Sequence, residues 1–339
     1  MIAFSDYRLK NLHLRNRIVM APMCMYCSDY HGLVQDFHRV HYPTRAIGGV
    51  GLIIQEATAV MKNGRISGSD LGIWSDQQVD GLEQLVHSVQ SYGAAFGIQI
   101  GHAGRKCDSP EDQPIAPSAI AFDDEYRVPT AMSIDDIHGV AAAFGQAAGR
   151  AQAAGYDLIE IHAAHGYLIH EFLSPLSNHR IDEYGGPIEN RVRFLQEVLA
   201  AVQTVWPAEK PISLRLSASD YLEGGIDLEE TMRIIDLVKH SVDIFHISSG
   251  GLLKAPIKLF PGYQVPFADS IKAHCQVPTI AVGLITELDH VDEIIGNHRA
   301  DLVAFGRELL RNPYWPLRQS LINKRINLPF PEQYERARL

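Results

Sequence analysis

The chain has 339 residues, 46% of them hydrophobic and 21% charged, with a formal net charge of −10; this is the balance of an ordinary globular protein. The acidic excess disfavours nucleic acid and anionic membranes as partners, because phosphates call for clustered Lys and Arg. No apolar run approaches the roughly 18–20 residues of a membrane span, and Met1–Asp6 lacks the basic and apolar regions of a signal peptide, so a cytoplasmic location is expected.

Taken in chain order, Ile2–Leu14 reads as a short hairpin closing the bottom of a barrel. Eight apolar runs follow, at Arg17–Ala21, Gly51–Gln55, Phe96–Ile100, Leu158–Ile161, Ile212–Leu216, Ile244–Ile247, Thr279–Val282 and Leu302–Phe305. They are nearly continuous in apolar character, as parallel strands covered on the outside should be. Gly48-Gly49-Val50-Gly51 ends a helix and leads into the second run. The polar, proline-rich stretch Gly101–Pro129 follows the third run and predicts a cap over the barrel mouth. Ile134–Ala154 predicts a helix, with Ile137, Val140, Ala141, Phe144, Ala147 and Ala148 on one face and Ser133 with Asp136 as a capping box. Asp227-Leu228-Glu229-Glu230 starts another helix, with acid in the first turn where the dipole favours it. Eight strands alternating with helices predict an α/β fold, a (β/α)8 TIM barrel with a capping insertion after strand three, forming a single domain over residues 1–339. A doubly wound sheet fits less well, since no G-x-G-x-x-G follows any strand.

In such barrels chemistry gathers at the carboxyl ends of the strands. There the chain places Pro22, Met23, Cys24 and Tyr26; Glu56, Ala57 and Thr58; Gln99, His102, Arg105 and Lys106; His162, His165 and Tyr167; Arg215; Ser248-Ser249-Gly250-Gly251; Gly283; and Gly306-Arg307. Two imidazoles and a phenol within six residues can grip a carbonyl oxygen and supply a proton. A zinc site at His162 and His165 is an alternative that needs a third ligand, with Glu160 the obvious carboxylate. Arg215, inside an apolar strand, stays charged and needs an acceptor: Asp220, Glu160 or a bound anionic cofactor. Gly283 and Gly306-Arg307 suit a phosphate, with a helix starting at Arg307 to supply N–H donors. Cys24-Met25-Tyr26-Cys27 is a lone C-x-x-C with no second pair, which argues against a metal or disulfide role.

Several ordered motifs carry a resemblance across essentially the whole chain: A-P-M-C-M-Y, D-L-G-I-W-S-D, G-I-Q-I-G-H-A-G-R-K, A-P-S-A-I-A-F, I-E-I-H-A-A-H-G-Y, R-L-S-A-S-D, F-P-G-Y-Q-V, G-R-E-L-L-R and Q-Y-E-R. Together they resemble the Old Yellow Enzyme family, in particular its bacterial branch. The resemblance implies a barrel that binds FMN tightly but non-covalently, is reduced by NADPH or NADH, and reduces the activated C=C bond of enones, enals or nitro compounds. It implies that His162 and His165 bind the substrate oxygen, that Tyr167 donates the proton, and that Tyr26 is a further substrate contact. Pro22, Met23, Cys24, Ala57, Gln99, Arg215, Gly283, Gly306 and Arg307 are implied as cofactor contacts, with Cys24 tuning the flavin, and no metal is implied. It also implies a homo-oligomer, a dimer or tetramer, in which Arg336 of the tail reaches a neighbouring subunit's substrate pocket. The alternative is a metal-dependent or phosphate-ligand-binding TIM barrel.

Overall fold

All eight apolar runs form strands. In chain order the elements are β1 (Tyr7–Leu9), β2 (Leu12–Leu14), β3 (Ile18–Met20), β4 (Leu52–Ala59), β5 (Ala95–Gly101), β6 (Ile115–Ala116), β7 (Thr130–Ala131), β8 (Leu158–Ala163), β9 (Ile212–Ser217), β10 (Ile244–Ser248), β11 (Thr279–Ala281) and β12 (Leu302–Phe305). The computed structural model describes residues 1–323, 326 and 328–338. Strands β3, β4, β5 and β8 to β12 close into a barrel in that order, each pair parallel, with β12 returning to β3.

The hairpin β1–β2 has the predicted place. Its Leu12 and Leu14 pack with Val19, Leu52, Ile54, Leu158, Ile244, Ile280 and Leu302 in one apolar cluster that fills the lower barrel. Burying each such side chain stabilises the fold by about 1.5–3 kcal/mol. The helix Ile134–Ala153 is capped as its sequence predicts: the Ser133 side chain accepts from Asp136 N–H, and Asp136 answers to the Ser133 N–H. Asp227 likewise caps Leu228–Val238 by accepting from Glu230 N–H. Gly48 ends the helix Asp36–Ile47 ahead of β4. Among the described residues no helix is long and apolar enough to cross a membrane.

One strand boundary differs from the sequence reading by more than two residues. β4 runs on to Ala59 instead of ending at Gln55, through an irregularity between Gln55 and Thr58 in its pairing with β5. That bulge re-aims Glu56 and Ala57, a common device at barrel rims. The insertion after β5 carries the short pair β6–β7 and is anchored by fully buried Arg65, whose Nη2 lies 2.6 Å from Asp112 Oδ2. Its Phe122 ring covers the Lys106 ammonium at 4.1 Å, so the insertion does lie beside the residues at the mouth.

Candidate active site

Register places the site's first layer. His162 on β8 pairs with Arg215 on β9, which pairs with His246 on β10; one pleat lower, Gln99, Glu160 and Ser213 are neighbours in the same way. Because side chains alternate along a strand, these residues share the barrel interior. Glu160 is fully buried and accepts from Gln99 Nε2 at 2.8 Å and Ser213 Oγ at 2.9 Å, with His246 Nδ1 at 2.9 Å. It is therefore spent on its neighbours rather than turned to a metal. Among the described residues no carboxylate lies within 4.0 Å of Arg215 to form an ion pair, and its buried Nε has no protein partner. Asp220 instead accepts from Ser174 Oγ and Ile226 N–H, each at 2.8 Å, with His170 Nε2 2.9 Å away. Burial lowers the Arg215 guanidinium, and the strongest opposing influence is the Glu160 charge.

The loop after β8 is built from the backbone outward. His165 sits at φ 61° and Gly166 at φ 74°, a left-handed pair that costs free energy at the histidine and calls for glycine beside it. A Cβ on Gly166 would lie 2.4 Å from Gly251 O, so the loops after β8 and β10 touch main chain to main chain. Lys106 Nζ ties them together, donating to His165 O at 2.8 Å and also to Gly251 O. Ser217 Oγ accepts from His165 N–H at 3.0 Å, and His170 Nδ1 accepts from Gly166 N–H at 2.9 Å. The outcome is a tight trio: the His162 ring stands 5.2 Å from that of His165 and 4.8 Å from that of Tyr167, edge to face in both cases.

Proton positions follow from the partners. Ala164 N–H donates to His162 Nδ1 at 3.3 Å, which leaves the His162 proton on Nε2. Gln264 Nε2 donates to Ser248 Oγ at 3.0 Å, and Ser248 Oγ lies 2.7 Å from His165 Nε2. A hydroxyl that accepts from Gln264 can give its own proton to His165, leaving Nδ1 as that ring's donor. Burial, and next the Arg215 charge, hold both imidazoles well below the usual histidine range. Burial, with Cys24 and Tyr26 nearby, pushes the Tyr167 phenol well above its ordinary value. At neutral pH the trio is thus uncharged, with one N–H on each imidazole and the phenolic O–H of Tyr167 free to donate.

The loop after β3 hangs on Glu56, which accepts from Met25 N–H at 2.7 Å and Tyr42 Oη at 2.9 Å. Burial, followed by the Asp70 and Glu56 charges, pushes the Cys24 thiol up, so it is uncharged. Tyr26 adopts φ 50° and is half exposed at the rim. Cys27 is not paired with Cys24; its Sγ lies 3.3 Å from His38 Nε2, and all four thiols are free.

Pro22, Met23, Arg215, Gly283, Gly306 and Arg307 line one cavity of about 370 Å³, together with Ser248, Tyr263 and Gln264. Ala57, His162 and Tyr167 line a small recess with Asp70 and His102. Gln99 lies below them in the barrel row, bonded to Glu160. Arg336 is not brought to this site: it sits on the exposed turn Glu332–Ala337. The residues present fit FMN. The cavity is lined by Arg215, a cation with an unpartnered buried N–H, and by Arg307 at the start of the helix Arg307–Arg311. At Gly283, φ 132°, a Cβ would meet Gln264 N at 3.1 Å, so that wall stays open only with glycine.

Sequence reasoning assigned no role to Ser217, Gln264, His170 or Lys106 in holding the histidine loop. Their partners lie 52, 16, 4 and 59 residues away. The one signal was polarity at strand ends, in R-L-S-A-S-D and Ser248-Ser249.

Residues 3–325 match the family model described as "NADH:flavin oxidoreductase / NADH oxidase family". An NADPH dehydrogenase of Clostridium acetobutylicum is 56% identical over 338 residues, 99% of each chain. Among solved structures, morphinone reductase superposes with TM-score 0.82 at 30% identity, covering 97% of this chain and 91% of that one. A 2-naphthoyl-CoA reductase superposes with TM-score 0.89 at 26% identity; the match covers 96% of this chain but spans only 52% of that longer one.

Proposed function

Because the chain belongs to the NADH:flavin oxidoreductase / NADH oxidase family and is an FMN-dependent oxidoreductase of the Old Yellow Enzyme type, we propose that it uses NADPH or NADH to reduce the C=C bond of α,β-unsaturated carbonyl or nitro compounds. The observation that carries this reading is the neutral trio His162, His165 and Tyr167, tied to the cavity wall by the pairing of His162 with Arg215 and the contact of His165 with Ser248.

His162 Nε2–H and His165 Nδ1–H donate to the substrate's carbonyl or nitro oxygen, drawing electron density from the alkene and leaving the β-carbon electrophilic. FMN, when bound, supplies there the hydride that it has taken from the nicotinamide. Tyr167 then gives its phenolic proton to the α-carbon; a phenol raised by burial keeps that proton until a strong carbon base asks for it. Arg215 holds the electron-rich edge of the cofactor ring with its unspent N–H groups, while Gly283, Gly306 and Arg307 hold the phosphate. Gln99, Ala57, Pro22, Met23 and Cys24 complete the ring contacts, and Tyr26 contacts the substrate from the rim. Arg336 of a second copy reaches the pocket in a homo-oligomer, and the enzyme works in the cytoplasm.

The test is optical. The purified protein should be yellow, bleach on anaerobic addition of NADPH or NADH, and recolour when 2-cyclohexenone is added. Protein that bleaches but does not recolour with enones or nitroalkenes would sink the substrate assignment.

A further inference from the structure

A wholly buried polar cluster surrounds Gln99, and its other members take no part in the steps above. Its centre is Glu160, which accepts from Gln99 Nε2 and Ser213 Oγ and meets His246 Nδ1, all within 2.9 Å. A carboxylate has nothing to donate, so the Gln99 amide nitrogen must face it and the amide oxygen must turn away. The His246 proton sits on Nδ1 for the same reason, leaving Nε2 buried without a partner. Burial keeps that imidazole uncharged despite Glu160 beside it, so it does not neutralise the carboxylate. The charge that Arg215 feels most is therefore Glu160, across a gap too long for an ion pair.

We propose that Glu160 is a positioning residue for the flavin: it fixes the Gln99 amide with its oxygen presented to a ring N–H, and its charge limits how strongly Arg215 favours the reduced cofactor. This rests on the FMN reading above. Isoalloxazine carries one such N–H between two carbonyls on its pyrimidine edge, and an amide oxygen suits that atom where an amide nitrogen would face it donor to donor. The charge acts independently of this orientation. With Glu160 neutral, Arg215 would stand as an uncompensated cation in a low-dielectric barrel, and the extra negative charge of the reduced ring would be stabilised.

The experiment is spectroelectrochemistry of the FMN-loaded Glu160→Gln, Glu160→Asp and Ser213→Ala variants beside the parent. Glu160→Gln should be yellow and should favour reduction about tenfold, a rise of about 30 mV for a two-electron couple. Ser213→Ala keeps the carboxylate and its other two partners, and should leave the potential at the parent value. Glu160→Asp keeps the charge but is one methylene too short to hold Gln99; it should bind FMN about tenfold more weakly at nearly unchanged potential, and it carries the test if Glu160→Gln does not fold. A yellow Glu160→Gln at or below the parent potential would overturn the proposal. So would Ser213→Ala shifting as far as Glu160→Gln, or Glu160→Asp binding FMN normally. A parent protein without flavin would overturn the FMN reading itself, a distinct result.

Discussion

The two ends of the barrel are built on opposite principles. The lower end is closed by Leu12, Leu14, Leu52, Leu158, Ile244 and Leu302, each at most 7% exposed and all apolar. The upper end holds Arg215, His162, Gln264 and Ser248 at comparable burial, with the partly exposed His165 beside them and an unpartnered guanidinium N–H among them. Buried polar groups without partners destabilise a fold, so the upper end is tolerable only because the lower end and the surrounding helices stabilise the whole. The division of labour is clear: stability below, chemistry above. It also says what should happen when either end is altered.

The largest effect belongs to the upper end. Tyr167→Phe removes one oxygen and leaves the ring against His162, so the fold and flavin binding should be untouched. Reoxidation of the reduced enzyme by an enone should slow by about 10²–10⁴-fold, the usual contribution of a general acid, while reduction by NADPH stays near normal. Stopped-flow absorbance separates the two half-reactions. Equal slowing of both would assign Tyr167 to structure and blur the contrast between the ends.

The mirror experiment is Leu158→Ala in the lower plug. Leu158 is 1% exposed and packs against neighbouring strand residues, so its truncation should lower unfolding free energy by about 2–5 kcal/mol. Chemical denaturation followed by circular dichroism measures that loss. The flavin spectrum and the rate of each half-reaction at 25 °C should match the parent, since Leu158 does not line the cavity. A changed rate with intact flavin would mean the two ends are mechanically coupled.

This contrast also explains what was legible in the sequence. The strands were readable because residues buried on both faces form continuous apolar runs, and seven of the eight end within about two residues of expectation; β4 overran because its bulge is a pairing event with β5. His162, Arg215, Gly283 and Arg307 could be placed at the mouth because parallel topology sends every strand end to one side. The left-handed turn at His165 and its supports were not readable. A histidine carries no local preference strong enough to announce φ 61°, and Lys106, Ser217 and Gln264 reach their partners only after the barrel has closed. Arg215 illustrates the middle case. Its need for an acceptor was plain from the sequence, but only packing shows that Asp220 is already committed to Ser174 and the Ile226 N–H.

A smaller, graded effect should come from acid. Burial holds His102 down to about 3, and His162 and His165 well below the ordinary value of 6.5. The folded state keeps these rings neutral while the unfolded chain protonates them below about 6.5, so the unfolded state binds more protons. Stability present above that value should fall as pH drops toward 3, by about 1.4 kcal/mol per pH unit for each such histidine. Denaturation midpoints at pH 7.5, 6 and 5 measure the slope, and His102→Gln should reduce it by one histidine's share. An unchanged slope in His102→Gln would show that His102 is not held neutral. The apolar lower plug contributes nothing to this dependence.

The smallest effect concerns the tail, which belongs to neither end of its own barrel. Arg336 lies on an exposed turn that touches the body through Tyr334, whose Oη is 3.4 Å from Tyr314 Oη. A fixed charge on such a turn stabilises its own chain little, and an exposed segment with few anchors tolerates change. In a single copy, Arg336→Ala should therefore alter neither melting temperature nor flavin binding. If a second copy brings Arg336 to the substrate pocket, the same substitution should lower kcat/KM for 2-cyclohexenone about fivefold, through KM, as expected for a partly exposed charge contributing about 1 kcal/mol. The effect should vanish on dilution below the concentration at which light scattering shows the assembly to dissociate, because the parent then loses Arg336 from its pocket as well. Equal kcat/KM for variant and parent in the assembled state would remove Arg336 from the site and leave the upper end of one barrel as the whole of the chemistry.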